Sequence, residues 1–375
     1  MTPTIPNSKP IRVLIVDDSV FIRSALTKMI RTDPGLQVVG TASNGVEALE
    51  QTQALQPDVI TLDVEMPRMD GIEALGRIMA EWPRPVIMLS FATREGAETT
   101  LQALDIGAFD YITKPGSDGS LSIASVREDL IAKIKIAARS PLAPGSDFSR
   151  VLPAEPDQLP ASSSARIQVT PTILAIGAST GGPKALQQVL SALPASLPVG
   201  VLVVQHMPPG FTAPFAERLN TLCQLRIREA AGGEIIEPGN VYIAPAGWHL
   251  TVSRGAAGRC STEVSKSPSA TLHRPSVDIL LFSVAETFRS QAMGVLLTGM
   301  GVDGARGMKA IHKAGGWTVG QNAETCVVYG MPRAAAEMRA LSRVAPLSLV
   351  ATEIMSALSH SSDAAAPRAT SHSAG

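Results

Sequence analysis

Cysteine, aromatic residues, unbalanced charge and long apolar runs are all scarce in this chain of 375 residues. Its three cysteines, Cys223, Cys260 and Cys326, are widely spaced and include no C-x-x-C pair. An odd, scattered set excludes a disulfide framework and a thiolate zinc site. It fits reduced, mostly buried thiols in a cytoplasmic protein. Formal net charge is only −1, so no basic excess is available to neutralise phosphates and no nucleic-acid partner is expected. Charge, glycine or proline interrupts every apolar run before it reaches the roughly 18 residues of a membrane span. The N-terminus MTPTIPNSKPIRVLIVDDS lacks the apolar stretch of a secretory signal. No membrane insertion is expected. What remains, 45% hydrophobic and 17% charged residues, is the composition of a globular protein, long enough for about two or three domains.

Residues 1–10 read as an N-terminal extension. Residues 11–139 then alternate the apolar runs IRVLIVDD, QVVGTAS, DVITLDV, VIMLS and DYITKP with segments such as VFIRSALTKMI and GVEALEQTQAL, whose apolar positions recur three and four apart. Five runs alternating with five helical segments predict a doubly wound parallel sheet, and strands buried on both faces are nearly all apolar, as these are. Residues 140–170 turn to proline, serine and alanine with no periodicity, which predicts a linker. A second α/β domain follows over 171–358. Its expected strands are TILAIGAS, VGVLVVQH, NVYIAPAG, AMGVLLTGM and GWTVGQN. Its expected helices are PKALQQVLSAL, GFTAPFAERLN, SVDILLFSVAETF and GARGMKAIHKAG. Residues 359–375 have too little apolar surface to order themselves.

In an open parallel sheet, chemistry collects at the carboxyl ends of the strands. The first strand of the N-terminal domain ends in Asp17 and Asp18, the third carries Asp63, the fourth ends in Ser90, and the fifth in Lys114-Pro115. Three carboxylates at one edge repel one another unless a hard divalent cation sits among them, and oxygen ligands with open water positions suit Mg²⁺. Solvated turns decorated with acid are the alternative. The motifs VDDS, TLDVEMPRMDG, MLS and YITKPG resemble the receiver domain of two-component response regulators, over about residues 11–135. That resemblance implies a phospho-acceptor at Asp63, with Mg²⁺ bound by Asp18, Asp63 and the carbonyl of Glu65 and assisted by Asp17. Ser90 and Lys114 would read the phosphoryl group. Tyr111 would be the aromatic that reorients on activation, or else plain core packing.

The stretch ILAIGASTGGPKAL, residues 173–186, offers Ser179 between small residues within G-x-S-x-G, the pattern of a turn that exposes a serine hydroxyl at the top of a parallel sheet. A phosphate-binding loop uses similar physics, but no Walker lysine-serine follows, and the glycine spacing of a dinucleotide site is not kept. A nucleophilic serine needs a base. His360 and His372 lie in the tail, His312 on an expected helix, and His249 and His273 in expected loops. Only His206 directly follows an apolar strand, which puts it on the same edge as Ser179. Asp303, in the glycine-rich LLTGMGVDGARGM, suits the group that orients the imidazole, with a helix N-cap as the alternative. The order Ser…His…Asp differs from that of the α/β-hydrolases.

The segments IGASTGGPKAL, VVQHMPPGFT, HRPSVD, LLTGMGVDGARGM and VVYGMPRAA resemble the chemotaxis protein-glutamate methylesterase family, and with the receiver the likeness runs from about 11 to 355. The fold class implied is α/β throughout, a flavodoxin-like receiver joined to a Rossmann-like methylesterase domain. The resemblance implies a triad of Ser179, His206 and Asp303 that hydrolyses glutamyl methyl esters on methyl-accepting chemotaxis receptors and in many members deamidates receptor glutamines. It needs no cofactor in the esterase site and implies a chemotaxis histidine kinase as phosphodonor for Asp63. Backbone N–H groups near Thr180 and Met300 are the expected oxyanion donors; the Thr180 side chain either bonds near the base or caps the next helix. The unphosphorylated receiver is expected to block the bulky substrate. A non-catalytic, phospho-dependent signalling adaptor is the alternative. A DNA-binding regulator is disfavoured, since no basic recognition helix follows the linker.

Overall fold

The computed structural model describes residues 9–91, 93–114, 123–140, 169–256 and 258–359. The expected linker and tail lie almost wholly outside these residues, as do Ala92 and Pro115. The described chain divides into two compact units.

The first unit realises the five apolar runs as strands β1 (Ile11–Val16), β2 (Leu36–Ala42), β3 (Val59–Asp63), β4 (Val86–Ser90) and β5 (Asp110–Thr113). They form one sheet of order β2-β1-β3-β4-β5, every pair parallel. That is the flavodoxin-like order, with its switch point between β1 and β3. Val13–Val16 are wholly buried, the expected state of a strand covered on both faces. Helices α1 (Val20–Ile30), α2 (Gly45–Leu55), α3 (Gly71–Glu81), α4 (Arg94–Ile106) and α5 (Ile123–Ala137) supply the cover. Four of them start at a side-chain cap: Ser19, Asn44, Asp70 and Thr93 each accept from a backbone N–H in the first turn.

The second unit carries a seven-stranded sheet in which every pair is parallel. Its strands are β6 (Ile173–Ala178), β7 (Gly200–Gln205), β8 (Arg226–Glu229), β9 (Asn240–Ile243), β12 (Ala292–Leu296), β13 (Trp317–Gln321) and β14 (Arg343–Ala345), in the order β14-β13-β12-β6-β7-β9-β8. The helices along this part of the chain are α6 (Gly182–Ser191), α7 (Thr212–Leu222), α8 (Val277–Phe288), α9 (Ala305–Lys313), α10 (Met331–Glu337) and α11 (Leu347–Ser359). The five expected strands are β6, β7, β9, β12 and β13.

Two things differ from expectation. The edge strands β8 and β14 are too short and polar to stand out as RIRE and RVA. A separate antiparallel hairpin, β10 (His249–Arg254) and β11 (Cys260–Ser265), sits outside the main sheet. It packs on α8, where Val252 N donates to Ser283 Oγ (3.2 Å) and Arg254 donates to the Thr287 carbonyl (3.2 Å). His249 is therefore not in a loop: it opens β10 and is wholly buried. The three cysteines are free, as expected, but half-buried. Burial pushes the Cys223 thiol up to about 11 and that of Cys326 to about 12, so neither is a ready thiolate.

Candidate functional sites

The chain reversal between β1 and β3 leaves a crevice at their carboxyl ends, and the expected acidic residues meet there. Carboxylate oxygens of Asp17, Asp18 and Asp63 lie within 4.8 Å of one another. Asp17 and Asp63 are buried and Asp18 is exposed. Lys114 Nζ stands 2.7 Å from both Asp17 Oδ2 and Asp63 Oδ2, with the Phe91 ring centroid 4.9 Å away. Burial raises the Asp63 carboxyl to about 6; the hydrogen bond and charge of Lys114 oppose this, while the Asp17 charge adds to it. A single ammonium does not balance this much buried negative charge. Closely grouped hard oxygens, one of them on an exposed residue, fit a small divalent cation such as Mg²⁺. Glu65 lies in the exposed turn after β3.

Ser90 ends β4 buried, its hydroxyl donating to the Gly96 carbonyl (3.1 Å). Tyr111 is buried on β5, and its carbonyl accepts from Lys133 Nζ (2.7 Å), which also pairs with Asp110 and Asp129.

In the second unit, Ser179 and His206 are the first residues beyond the paired positions Ala178 and Gln205 of β6 and β7, and His206 N donates to the Ala178 carbonyl (3.1 Å). Asp303 comes from the loop after β12, on the other side of β6. The three thus flank the switch point of the sheet, where ligands bind in doubly wound folds. Gly181 begins α6 at φ +75°, and a Cβ there would lie 2.6 Å from Val327. A Cβ on Gly299 would meet Ser179 Cβ at 2.8 Å. Only glycine lets these two loops close around the serine.

His206 Nε2 is 2.9 Å from Asp303 Oδ2. The carboxylate also accepts from Ser276 Oγ (2.9 Å) and from the backbone N–H groups of Val277 (2.7 Å), Asp278 (3.0 Å) and Gly304 (3.1 Å). Burial alone would raise its pKa, but the His206 hydrogen bond and charge and the Asp278 and Val277 N–H groups outweigh it. The Asp303 carboxyl stays far below the usual carboxylate range. An ionised Asp303 keeps the imidazole proton on Nε2 and leaves Nδ1 as a lone pair. That Nδ1 is buried and has no hydrogen-bond partner, so the bond to Ser179 is not closed. The other face of the ring stacks on His273, centroids 4.2 Å apart.

Two side-chain alternatives are corrected. Asp303 does not cap the helix that follows it: α9 starts behind Gly304, and the carboxylate instead takes up the free N–H groups of α8. Thr180 does not cap α6, whose N-cap is Gly181 with no side-chain bond; Thr180 is buried and its carbonyl accepts from Thr298 Oγ1 (3.0 Å). Met300 is half-buried in the loop carrying Asp303. Sequence reasoning missed Ser276 and His273. For Ser276 a signal existed, a hydroxyl residue just before the apolar helix VDILLF; for His273 only the fold brings the two rings together.

Fold and sites define a class: a receiver-type unit in one chain with a second parallel α/β unit that carries a serine, an imidazole and a carboxylate near its strand ends, the last two hydrogen-bonded. The CheB methylesterase family model matches residues 174–354 and the response regulator receiver domain model residues 13–124. A protein-glutamate methylesterase/protein-glutamine glutaminase of Symbiobacterium thermophilum is 45% identical over 357 residues, covering 93% of this chain and 98% of that protein. One of the same description from Halalkalibacterium halodurans is 46% identical, covering 92% and 97%. Among solved structures, the Thermotoga maritima CheB methylesterase catalytic domain is 39% identical, covering 50% of this chain and 99% of that one, with a TM-score of 0.48. The chain belongs to the protein-glutamate methylesterase/protein-glutamine glutaminase family. It is a response regulator and an ester hydrolase. Among the described residues, no helix is long and apolar enough to cross a membrane.

Proposed function

We propose that this hydrolase demethylates glutamyl methyl esters on methyl-accepting chemotaxis receptors in the cytoplasm, with Ser179, His206 and Asp303 as its catalytic triad. The observation that carries the reading is the His206 ring, clamped through Nε2 to a carboxylate and left with an unpartnered Nδ1, at the strand end next to the one that Ser179 follows. His206 Nδ1 takes the Ser179 proton as Oγ bonds to the ester carbonyl carbon. Backbone N–H groups near Thr180 and Met300 hold the oxyanion, and loss of one such donor costs about 10²–10³ in rate. The tetrahedral centre collapses as the methoxy group leaves with the proton from His206, giving methanol and a glutamyl-enzyme. Water then repeats the cycle, frees the glutamate and returns the proton to Ser179. Deamidation of receptor glutamines follows the same route with ammonia leaving, and the glutaminase part of the relatives' names supports it.

The receiver, residues 11–139, joined by the 140–170 linker to the esterase domain, residues 171–358, gates it by blocking the substrate while unphosphorylated. Asp63 accepts a phosphoryl group from a chemotaxis histidine kinase, its carboxylate oxygen forming the P–O bond as the donor's bond breaks. Asp18, Asp63 and the Glu65 carbonyl, assisted by Asp17, would hold Mg²⁺, which when bound would neutralise charge on the phosphoryl oxygens. Lys114 Nζ, already 2.7 Å from Asp63, takes a phosphoryl oxygen, and Ser90 leaves the Gly96 carbonyl to hydrogen-bond another. Tyr111 reorients in response, and the receiver ceases to block the substrate. No cofactor is needed in the esterase site.

The test is methanol release from a methylated receptor cytoplasmic fragment, with and without a small phosphodonor and Mg²⁺. Release that requires Ser179, with stimulation abolished in Asp63→Ala, upholds the reading. Equal release by wild type and Ser179→Ala would overturn the catalytic assignment in favour of docking.

A further inference from the structure

His249 is wholly buried at the start of β10, and every polar contact of its ring leads to a loop that frames the esterase site. Its Nδ1 accepts from the Ser276 N–H (3.2 Å). Its Nε2 lies 3.1 Å from the Pro268 carbonyl and 3.3 Å from Thr271 Oγ1. An amide N–H can only donate and a carbonyl can only accept, so one neutral tautomer satisfies all three: lone pair on Nδ1, proton on Nε2. Burial, with the Arg274 charge, holds this imidazole below its ordinary range against the opposing effects of the Pro268 carbonyl and Asp303. A directed chain results. The Ser276 N–H is anchored on His249, the Ser276 hydroxyl donates to Asp303 Oδ1 (2.9 Å), and Asp303 Oδ2 accepts from His206 (2.9 Å). The next two N–H groups of the same turn, on Val277 and Asp278, also hold Asp303. A shift at Ser276 therefore moves three of the donors that aim the carboxylate.

We propose that His249 is a positioning residue for ester hydrolysis, holding Ser276 and the first turn of α8 so that Asp303 keeps His206 aimed at Ser179. The inference rests on the triad reading above. Supporting partners of this kind are worth about 10–100-fold in the metal sites where they have been measured, and misplacement by about 1 Å is enough to cost a similar factor in an active site.

Two near-isosteric amides separate this from a purely structural role. In His249→Asn the side-chain oxygen falls near the place of Nδ1 and keeps the Ser276 bond. In His249→Gln the amide NH₂ falls near Nε2 and keeps only the Pro268 bond. Both are made in the full chain and read by methanol release and by the downfield ¹H resonance of the His206–Asp303 proton. The expected result is that Asn holds kcat within about threefold and keeps the resonance. Gln loses about 10–100-fold in kcat at little-changed KM, with the resonance shifted or lost. Equal losses, or a greater loss in Asn, overturn the proposal. If neither variant folds, the ring ¹⁵N shifts of wild type and the kcat of Ser276→Ala decide it together: a His249 proton on Nε2 with a kcat loss in Ser276→Ala supports the chain, whereas a proton on Nδ1, which could not accept from the Ser276 N–H, or no loss in Ser276→Ala overturns it. The resonance needs no substrate, so a wrong substrate shows as missing methanol release in wild type, while a wrong positioning role shows as an unmoved resonance in His249→Gln.

Discussion

Asp63 and Asp303 are both largely buried aspartates near the carboxyl end of a parallel strand, beside the switch point of a doubly wound sheet. Burial is the largest influence on each, yet their acidities move in opposite directions. Asp63 has one ammonium for company and a second carboxylate against it, so its charged form is disfavoured. Asp303 accepts five hydrogen bonds, three of them backbone N–H groups, and faces an imidazole. Desolvation alone does not decide the state of a buried carboxylate; the donors that replace water do. The receiver keeps a carboxylate short of partners, which suits the phospho-acceptor and cation ligand proposed for Asp63. The esterase keeps one saturated, which suits the ionised, fixed orienting group proposed for Asp303.

The largest effect that would sharpen this contrast is on activity. Ser179→Ala is expected to lower methyl-ester hydrolysis by about 10⁴–10⁶, measured as methanol release. Asp303→Asn should cost about 10⁴ in kcat, since an amide in that place favours the wrong imidazole tautomer. A loss below tenfold for Asp303→Asn would mean that the saturated carboxylate is scaffolding.

Stability should separate the two aspartates next. The raised pKa of Asp63 contributes stability that is fully present below about pH 3.8 and is lost as pH rises through about 6. At neutral pH its burial is a cost, so Asp63→Asn is expected to stabilise the receiver by about 1–2 kcal/mol at pH 7.5 and by little near pH 4. Denaturant melts at the two pH values check this. The lowered pKa of Asp303 contributes stability above pH 3.8 that is lost only as pH falls through its lower folded value. Asp303→Asn should therefore destabilise the esterase unit at pH 7.5, by about 2–3 kcal/mol, with the difference shrinking in strong acid. Shifts of the same sign in both variants would break the comparison.

The smallest effect concerns two helix caps. Ser19 caps only α1 through Ile22 N, whereas Ser276 reaches both Ile279 N and Asp303. Ser19→Ala should cost about 1 kcal/mol in receiver melts, and its methanol release without phosphodonor should match wild type. Ser276→Ala should cost a similar stability but also lower kcat.

Legibility in the sequence followed burial on two faces. β1, β3, β4, β6, β7 and β12 are near-continuous apolar runs, and each site residue at their ends could be assigned by counting to where the run stops. β10 and β11 carry HLTVSR and CSTEVS, short and rich in polar residues, so no apolar run marks the hairpin and the sequence around His249 reads as loop. β8 and β14 escaped for the same reason at the sheet edges. Ser276 follows a cis-Pro and precedes an apolar helix, and its capping role was readable; its second bond, to a residue 27 positions on, was not.

The order of apolar runs and turns in the sequence determined two parallel sheets and which residues stand at their carboxyl ends, because a strand covered on both faces must be apolar along its length. Tertiary structure alone decided the protonation logic. Whether a buried aspartate is starved or saturated depends on helix N-termini and side chains brought from distant parts of the chain. Those donors leave no periodic trace, since hydrogen bonding requires only that a suitable atom arrive within about 3 Å at the right angle.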